Sequence, residues 1–247
     1  MSRAKEIFEN IGDSHTSAYT SGDLGYVHFC SGDIENAENL LATAVEKASE
    51  INDEELLLES KIRLGKIAVY SGRNFKDNAS SLVSQAGKLE SAELELKALI
   101  LKALVELQMR NFDGFTETLK LISNKEELGN YPELKLENNL LQFVNELQNG
   151  DVKSATKVFK DALKGCFSRD LGLIACDFLA AGNATKALDR IPEKSIEKLR
   201  GYYNRIGSGL DKAGLKKLDS LQKCKETLFS GLSKYPLSAE SAKPSGR

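Results

Sequence analysis

Histidine and cysteine are the residues from which this chain could build a catalytic or metal site, and both are scarce. Its 247 residues include two histidines, His15 and His28. His28 and Cys30 lie two positions apart, but a zinc site needs three or four ligands and no second close pair accompanies them. Side chains at i and i+2 of a helix point apart, which argues against a Cys–His nucleophile. We therefore interpret His28 as a packed, hydrogen-bonded side chain and predict no metal site.

Sequence motifs of enzymes are also missing. No GxxxxGK[ST], GxGxxG, HExxH or GxSxG pattern occurs in the chain, and these patterns mark many nucleotide-binding proteins and hydrolases. Many acidic side chains instead lie three or four residues from a lysine, as Glu93 does from Lys97, which is typical of a solvated helix face. The sequence predicts a protein that is not an enzyme and has no cofactor.

The composition is that of a soluble globular protein, with 41% hydrophobic and 28% charged residues. The N-terminus lacks the apolar segment of a signal peptide, and no apolar run approaches the roughly 20 residues that span a bilayer. No CxxC motif occurs among the cysteines, which are Cys30, Cys166, Cys176 and Cys224. These features predict a cytoplasmic protein with free thiols and no membrane insertion.

Charge is distributed unevenly along the chain. The formal net charge is −2, yet residues 186–247 contain 14 Lys or Arg against 7 Asp or Glu, a net charge of +7. Residues 1–185 therefore have a net charge of −9. Two predicted helices within 194–225 hold most of the positive charge, and their apolar residues recur at helical spacing. They are either a capping pair with a solvated outer face or an electrostatic patch for RNA, an anionic membrane surface or an acidic protein.

A recurring pattern of small residues gives the fold class. The second helix of a predicted hairpin follows a turn glycine at steps of five, four and three residues. The pattern occurs at Gly32, Ala37, Leu41 and Ala44, again at Gly150, Ala155, Phe159 and Ala162, and in part at Gly182, Ala187 and Ile191. Few prolines and many strong helix formers accompany it. The sequence therefore predicts an all-α stack of helical hairpins.

The predicted hairpins form a single domain over residues 1–232. Its repeats span about 14–50, 54–88, 91–123, 133–165 and 168–191, followed by a helical cap at 194–231 and a flexible tail at 233–247. Pro192 closes the fifth repeat, since proline disfavours helix in the residue before it.

These features resemble the tetratricopeptide (TPR) repeat, with Leu-Gly in a first helix, a Gly-Asp turn and small residues in a second helix. The resemblance covers about residues 14–191 and is strongest in units one and four. It departs from the family where tryptophan and tyrosine are usual, and Gly32 to Gly72 spans 40 residues rather than about 34. It implies a right-handed superhelix of about five antiparallel hairpins, a TPR-like α-solenoid with a C-terminal helical cap. The matching residues are Leu24, Gly25, Gly32, Asp33, Ala37, Leu41 and Ala44, then Gly150, Asp151, Ala155, Phe159 and Ala162.

The resemblance also implies a concave groove, lined by the first helix of each pair, that binds a peptide or a protein segment. Mapped onto this chain, its partner-binding residues are Tyr26, Arg63, Lys66 and Tyr70, and the two cations favour an acidic or carboxylate-bearing ligand. Both tyrosines could equally pack between neighbouring repeats. Gly22 and Tyr26 stand where a clamp for a C-terminal carboxylate needs lysine and asparagine, so a chaperone-tail clamp is not expected.

The sequence thus predicts a non-enzymatic scaffold or adaptor that binds a protein partner in its concave groove. A structural subunit of a larger assembly is the alternative, with contacts through the convex face or the basic C-terminal helices. RNA association through residues 194–225 is a third hypothesis, and it predicts binding that weakens steeply with salt.

Overall fold

A computed structural model describes Arg3 and residues 12–75, 78–169 and 171–230. Over residues 12–230, the described part of the chain forms eleven α-helices, two 3₁₀ helices (Glu126–Asn130 and Ala187–Arg190) and no strand, so the all-α prediction is confirmed. The tail at 233–247 lies outside the described residues. The helices are α1 (Ser14–Cys30), α2 (Ile34–Glu50), α3 (Glu54–Tyr70), α4 (Ala79–Lys88), α5 (Ala92–Gln108), α6 (Phe112–Ser123), α7 (Pro132–Gln148), α8 (Val152–Arg169), α9 (Gly172–Thr185), α10 (Glu193–Gly207) and α11 (Lys212–Ser230).

The helices pack in neighbouring pairs. Helices α1 to α8 form four hairpins, with α1 against α2, α3 against α4, α5 against α6, and α7 against α8. The first helices of successive hairpins also contact one another, from α1 through α3, α5 and α7 to α9. The first helices therefore form a continuous layer, and each second helix packs against the first helices of its own and the next hairpin.

Local sequence explains where these helices begin and why they approach closely. Asp53 and Asp151 each stand before a helix and accept a backbone N–H from the residue three positions on, at 2.9 Å in both cases. The alanines of the repeated pattern are almost completely buried, which lets the two helices of a hairpin approach closely. They are Ala37, Ala44, Ala155 and Ala162.

The fifth unit differs from its prediction. Gly182 is not a turn residue, because α9 continues through it to Thr185. A Cβ built on Gly182 would lie 2.6 Å from Leu188, so its bare backbone accommodates the segment that follows. That segment is only a 3₁₀ helix of four residues, Ala187–Arg190. Ile191, which precedes Pro192, is extended, so the helix that packs on α9 begins only after the proline, as α10.

The last helix, α11, also reaches back to the beginning of the stack. It packs on α9 and also contacts α3. Lys217 of α11 donates a hydrogen bond from Nζ to Asp33 Oδ1 at 2.7 Å, in the turn between α1 and α2. A Cβ built on Gly32 in the same turn would lie 2.5 Å from the Leu218 nitrogen. Helix α11 therefore bridges the fifth unit and the first.

Candidate functional site

The four residues predicted to bind a partner lie near one another on the layer of first helices, but little of their surface is accessible. Lys66 and Tyr70 are 9% and 6% exposed, and Tyr26 is half-buried. The Arg63 guanidinium lies over the Tyr26 ring, 5.3 Å from its centroid. We call the surface marked by these four residues the inner face.

The two cations predicted to attract an acidic ligand are already paired within the chain. Arg63 donates to Asp23 at 3.0 Å and to Glu59 at 3.1 Å. Lys66 donates to Glu137 of α7 at 2.5 Å, and both side chains of this pair are mostly buried. An acidic ligand would have to displace these carboxylates, so the inner face presents little uncompensated positive charge.

Helix α11 lies over the part of the inner face that carries Tyr26 and Tyr70. Lys225 donates from Nζ to Asp177 Oδ1 of α9 at 2.6 Å and lies over the rings of Tyr70 and Phe29, 5.1 and 5.5 Å from their centroids. The cavity left between α11 and the inner face, bordered by Tyr26, has a volume of about 30 Å³, room for about one water molecule. Around Tyr26 and Tyr70, an inner face open to a partner therefore requires α11 to move away. Partner binding by Tyr26, Arg63, Lys66 and Tyr70 stays a prediction under that condition.

The histidines and cysteines are spread over the fold rather than gathered. His15 Nε2 lies 3.2 Å from an Asp53 oxygen, and the half-buried His28 has Nδ1 3.4 Å from an Asp33 oxygen. No group of three or more His, Cys, Asp or Glu side chains within the described ranges could hold a metal ion.

Burial also keeps most of the cysteines in the thiol form. It raises the pKa of Cys30 to about 11 and the pKa values of Cys166 and Cys176 to about 12. Because the thiolate is the nucleophilic form, these three side chains are poor nucleophiles at neutral pH.

An open cavity of about 740 Å³ lies on the opposite part of the fold, along α8. One wall is α8 from Val152 to Phe167, and the other is the segment Ile191–Ser195, at the start of α10. Leu163 is 3% exposed and contributes an apolar part of the lining. The Phe167 ring is held in place by Lys198, whose Nζ lies 4.7 Å from the ring centroid. We call this cavity the α8–α10 groove.

Lysines line the open side of the α8–α10 groove. They follow one another along α8 at steps of four, three and four residues, so they share one helix face, and all are exposed. Asp161 also lines the groove and accepts from Lys164 at 3.1 Å. The other three lysines form no ion pair with the residues that the structure describes. The row is Lys153, Lys157, Lys160 and Lys164.

Sequence reasoning missed this groove. The signal was present, because the lysine spacing in α8 follows the same helical period as the apolar stripe of Val152, Ala155, Phe159 and Ala162. Within residues 1–185 the lysines of α8 are outnumbered by acidic residues, so the net charge of −9 hides a basic row on one helix. The opposite wall was not predictable from spacing alone, since it depends on how the segment between α9 and α10 packs beside α8.

In the described part of the chain, no helix combines the length and apolar character needed to cross a membrane. The inner face and the α8–α10 groove are two candidate surfaces for binding. Comparison of the chain with protein-family models, curated proteins and solved structures gave no match.

Proposed function

We propose that this chain is a non-enzymatic scaffold of the cytoplasm, a TPR-like right-handed superhelix that binds a segment of a partner protein. The observation that carries the proposal is the α8–α10 groove, which combines an apolar lining with unpaired lysines at its rim. Concave apolar surfaces with a few convergent polar groups are typical of binding sites. The groove is the binding surface in this proposal, and the inner face is held closed by α11.

The closed inner face favours this choice of surface. Binding there would require breaking the buried pair of Lys225 and Asp177 and uncovering Tyr70 and Phe29. A buried pair costs several kcal/mol to separate, since each charge would lose its partner. The α8–α10 groove needs no such rearrangement.

RNA association through residues 194–225 is less well supported. Several cations of α10 and α11 already have partners within the chain: Lys217 pairs with Asp33, Lys225 with Asp177, and Lys198 lies over Phe167. The cations that would neutralise phosphates are therefore fewer than the composition of this segment indicates.

Binding of a partner through the groove is tested by filling it. Thr156→Trp places a large side chain on α8 inside the groove. We expect this variant to lose a copurifying protein partner that the wild-type chain retains, with an affinity at least about tenfold weaker, because the indole occupies the apolar surface that the partner covers. Affinity purification followed by titration with the isolated partner measures the effect.

Thr43→Trp is the matched control. Thr43 lies on α2, and both threonines donate from Oγ1 to the carbonyl four residues earlier, Thr156 to Val152 and Thr43 to Asn39. The control should bind like the wild type. Equal binding by all three chains would remove the groove from the proposal. A stoichiometric complex that survives high salt would favour the structural-subunit alternative, and peptide-displaceable binding favours the adaptor.

A further inference from the structure

The α8–α10 groove lies where the repeating pattern of the fold is interrupted. In each of the first four units a second helix returns along the first helix. In the fifth unit α9 is followed by a 3₁₀ helix of four residues and then by Pro192. The side of α8 that faces the fifth unit therefore borders an open groove, whose far wall is the extended segment at Ile191 and Pro192.

The length and the lining of the groove suit a helix of about four turns. It runs along α8 from Val152 to Phe167, about 22 Å at the helical rise of 1.5 Å per residue. An extended peptide gains affinity by pairing with an exposed sheet edge, and the described residues contain no strand. An amphipathic helix instead lays an apolar stripe into an apolar groove, and Val152, Leu163 and Phe167 provide such a surface.

The charge at the rim specifies the partner further. Lys157 and Lys160 have no carboxylate partner among the described residues, Lys153 lies near the Asp151 carboxylate and helps to lower its pKa, and Lys164 pairs with the exposed Asp161. A helix lying along α8 would place its flanking side chains beside this row. Acidic flanks would be attracted and basic flanks repelled.

We propose that the α8–α10 groove binds an acidic amphipathic helix of a partner protein, with its apolar stripe on Leu163 and Phe167 and its carboxylates beside the lysine row. This inference rests on the proposed function and adds the chemistry of the partner. The C-terminal residues 231–247 do not fit, because they include Lys234, Lys243 and Arg247 against Glu240 alone.

The test uses two synthetic peptides as long as α8, 18 residues. Both have the same leucine stripe at helical spacing, and one has glutamate at the flanking positions where the other has glutamine. Glutamate and glutamine have similar helix propensities, so the pair differs mainly in charge. We expect the glutamate peptide to bind the full-length chain about tenfold more tightly than the glutamine peptide at low salt, and the difference to shrink as salt is raised.

Two double variants test whether the effect of peptide charge arises at the lysine row of the α8–α10 groove. Lys157→Gln/Lys160→Gln should lower the affinity for the glutamate peptide about tenfold and leave the affinity for the glutamine peptide unchanged. Lys88→Gln/Lys120→Gln removes two exposed lysines from α4 and α6 and should change neither affinity. Thr156→Trp should weaken both peptides.

Three other outcomes would each contradict part of the proposal. Equal binding of the two peptides, still blocked by Thr156→Trp, would overturn the acidic partner and leave the protein-binding groove in place. Failure of both peptides to bind would overturn the amphipathic helix as occupant, while the copurification test still decides the proposed function. Binding to vesicles of anionic lipid that disappears in Lys157→Gln/Lys160→Gln, without peptide binding, would assign the lysine row to a membrane surface instead.

Discussion

Replacing Lys225 by methionine should lower the free energy of unfolding by about 3 kcal/mol, the typical cost of leaving one charge of a buried pair without its partner. Methionine keeps the apolar stem of lysine but removes the ammonium that donates to Asp177 at 2.6 Å. The two side chains are only 11% and 14% exposed, so water does not replace the lost contact well. Chemical denaturation of the variant and the wild-type chain measures the difference.

Lys223→Met is the control for this prediction. Lys223 is exposed on the same helix, so its replacement should change the stability by less than about 0.5 kcal/mol. Lys225→Met/Asp177→Leu should recover much of the loss, because no unpaired charge then remains. If Lys225→Met and Lys223→Met are equally stable, α11 is not docked on α9 as described.

The same pair has a defined dependence on pH. Burial lowers the pKa of Lys225, but the Asp177 carboxylate, together with the nearby Cys30 and Cys176, raises it, and the net shift is above the usual value of 10.5. A raised folded-state pKa means that the pair contributes fully at neutral pH and loses its contribution as the pH rises through that pKa. The stability difference between the wild-type chain and Lys225→Met should therefore be constant near neutrality and shrink above pH 10.5.

Gly32→Ala should destabilise the chain by about 3 kcal/mol, whereas Gly72→Ala should cost about 1 kcal/mol. Both glycines end a first helix with positive φ, +83° at Gly32 and +75° at Gly72, so an alanine strains the backbone in each. A Cβ on Gly72 would meet nothing within 4 Å, but one on Gly32 would lie 2.5 Å from the Leu218 nitrogen. The extra cost at Gly32 arises because α11 must shift.

Thiol labelling distinguishes a shift of α11 from general loss of structure. Cys30 and Cys176 line the small cavity beneath α11, whereas Cys166 is buried in α8. In the folded Gly32→Ala variant, a thiol reagent should modify Cys30 and Cys176 faster than in the wild-type chain. The rate at which it modifies Cys166 should be unchanged. Equal stability losses in the two alanine variants, with no change in labelling, would contradict the seating of α11 on the first turn.

The sequence was sufficient to predict the helical elements and most of their bounds. The alanine spacing after Gly32 and Gly150 marks positions where neighbouring helices must approach, and such positions depend mainly on local sequence. The connection after Gly72 is longer than the one after Gly32, since α4 begins only at Ala79. The ends of the helices could be predicted because turn glycines and helix-forming residues influence the backbone conformation only within a few residues.

The two features that determine the accessible surfaces were harder to predict. Gly182 has the spacing of a turn glycine, but its short contact with Leu188 shows that it instead admits a neighbouring side chain. The path of α11 depends on contacts such as Lys217 with Asp33, 184 residues apart in sequence. From the sequence alone, the lysines of α11 fit a solvated helix face and a set of buried ion-pair partners equally well. Only the folded structure determines which of them are buried.

Hydrogen exchange of the full-length chain, with and without its purified partner, tests the central claim most directly. If the α8–α10 groove is the binding surface, the partner should slow amide exchange in residues 152–167 and 191–196 and leave residues 62–70 and 212–230 unchanged. Slower exchange in 62–70 together with faster exchange in 212–230 would contradict this account. It would show that α11 leaves the inner face and that Tyr26, Arg63, Lys66 and Tyr70 meet the partner.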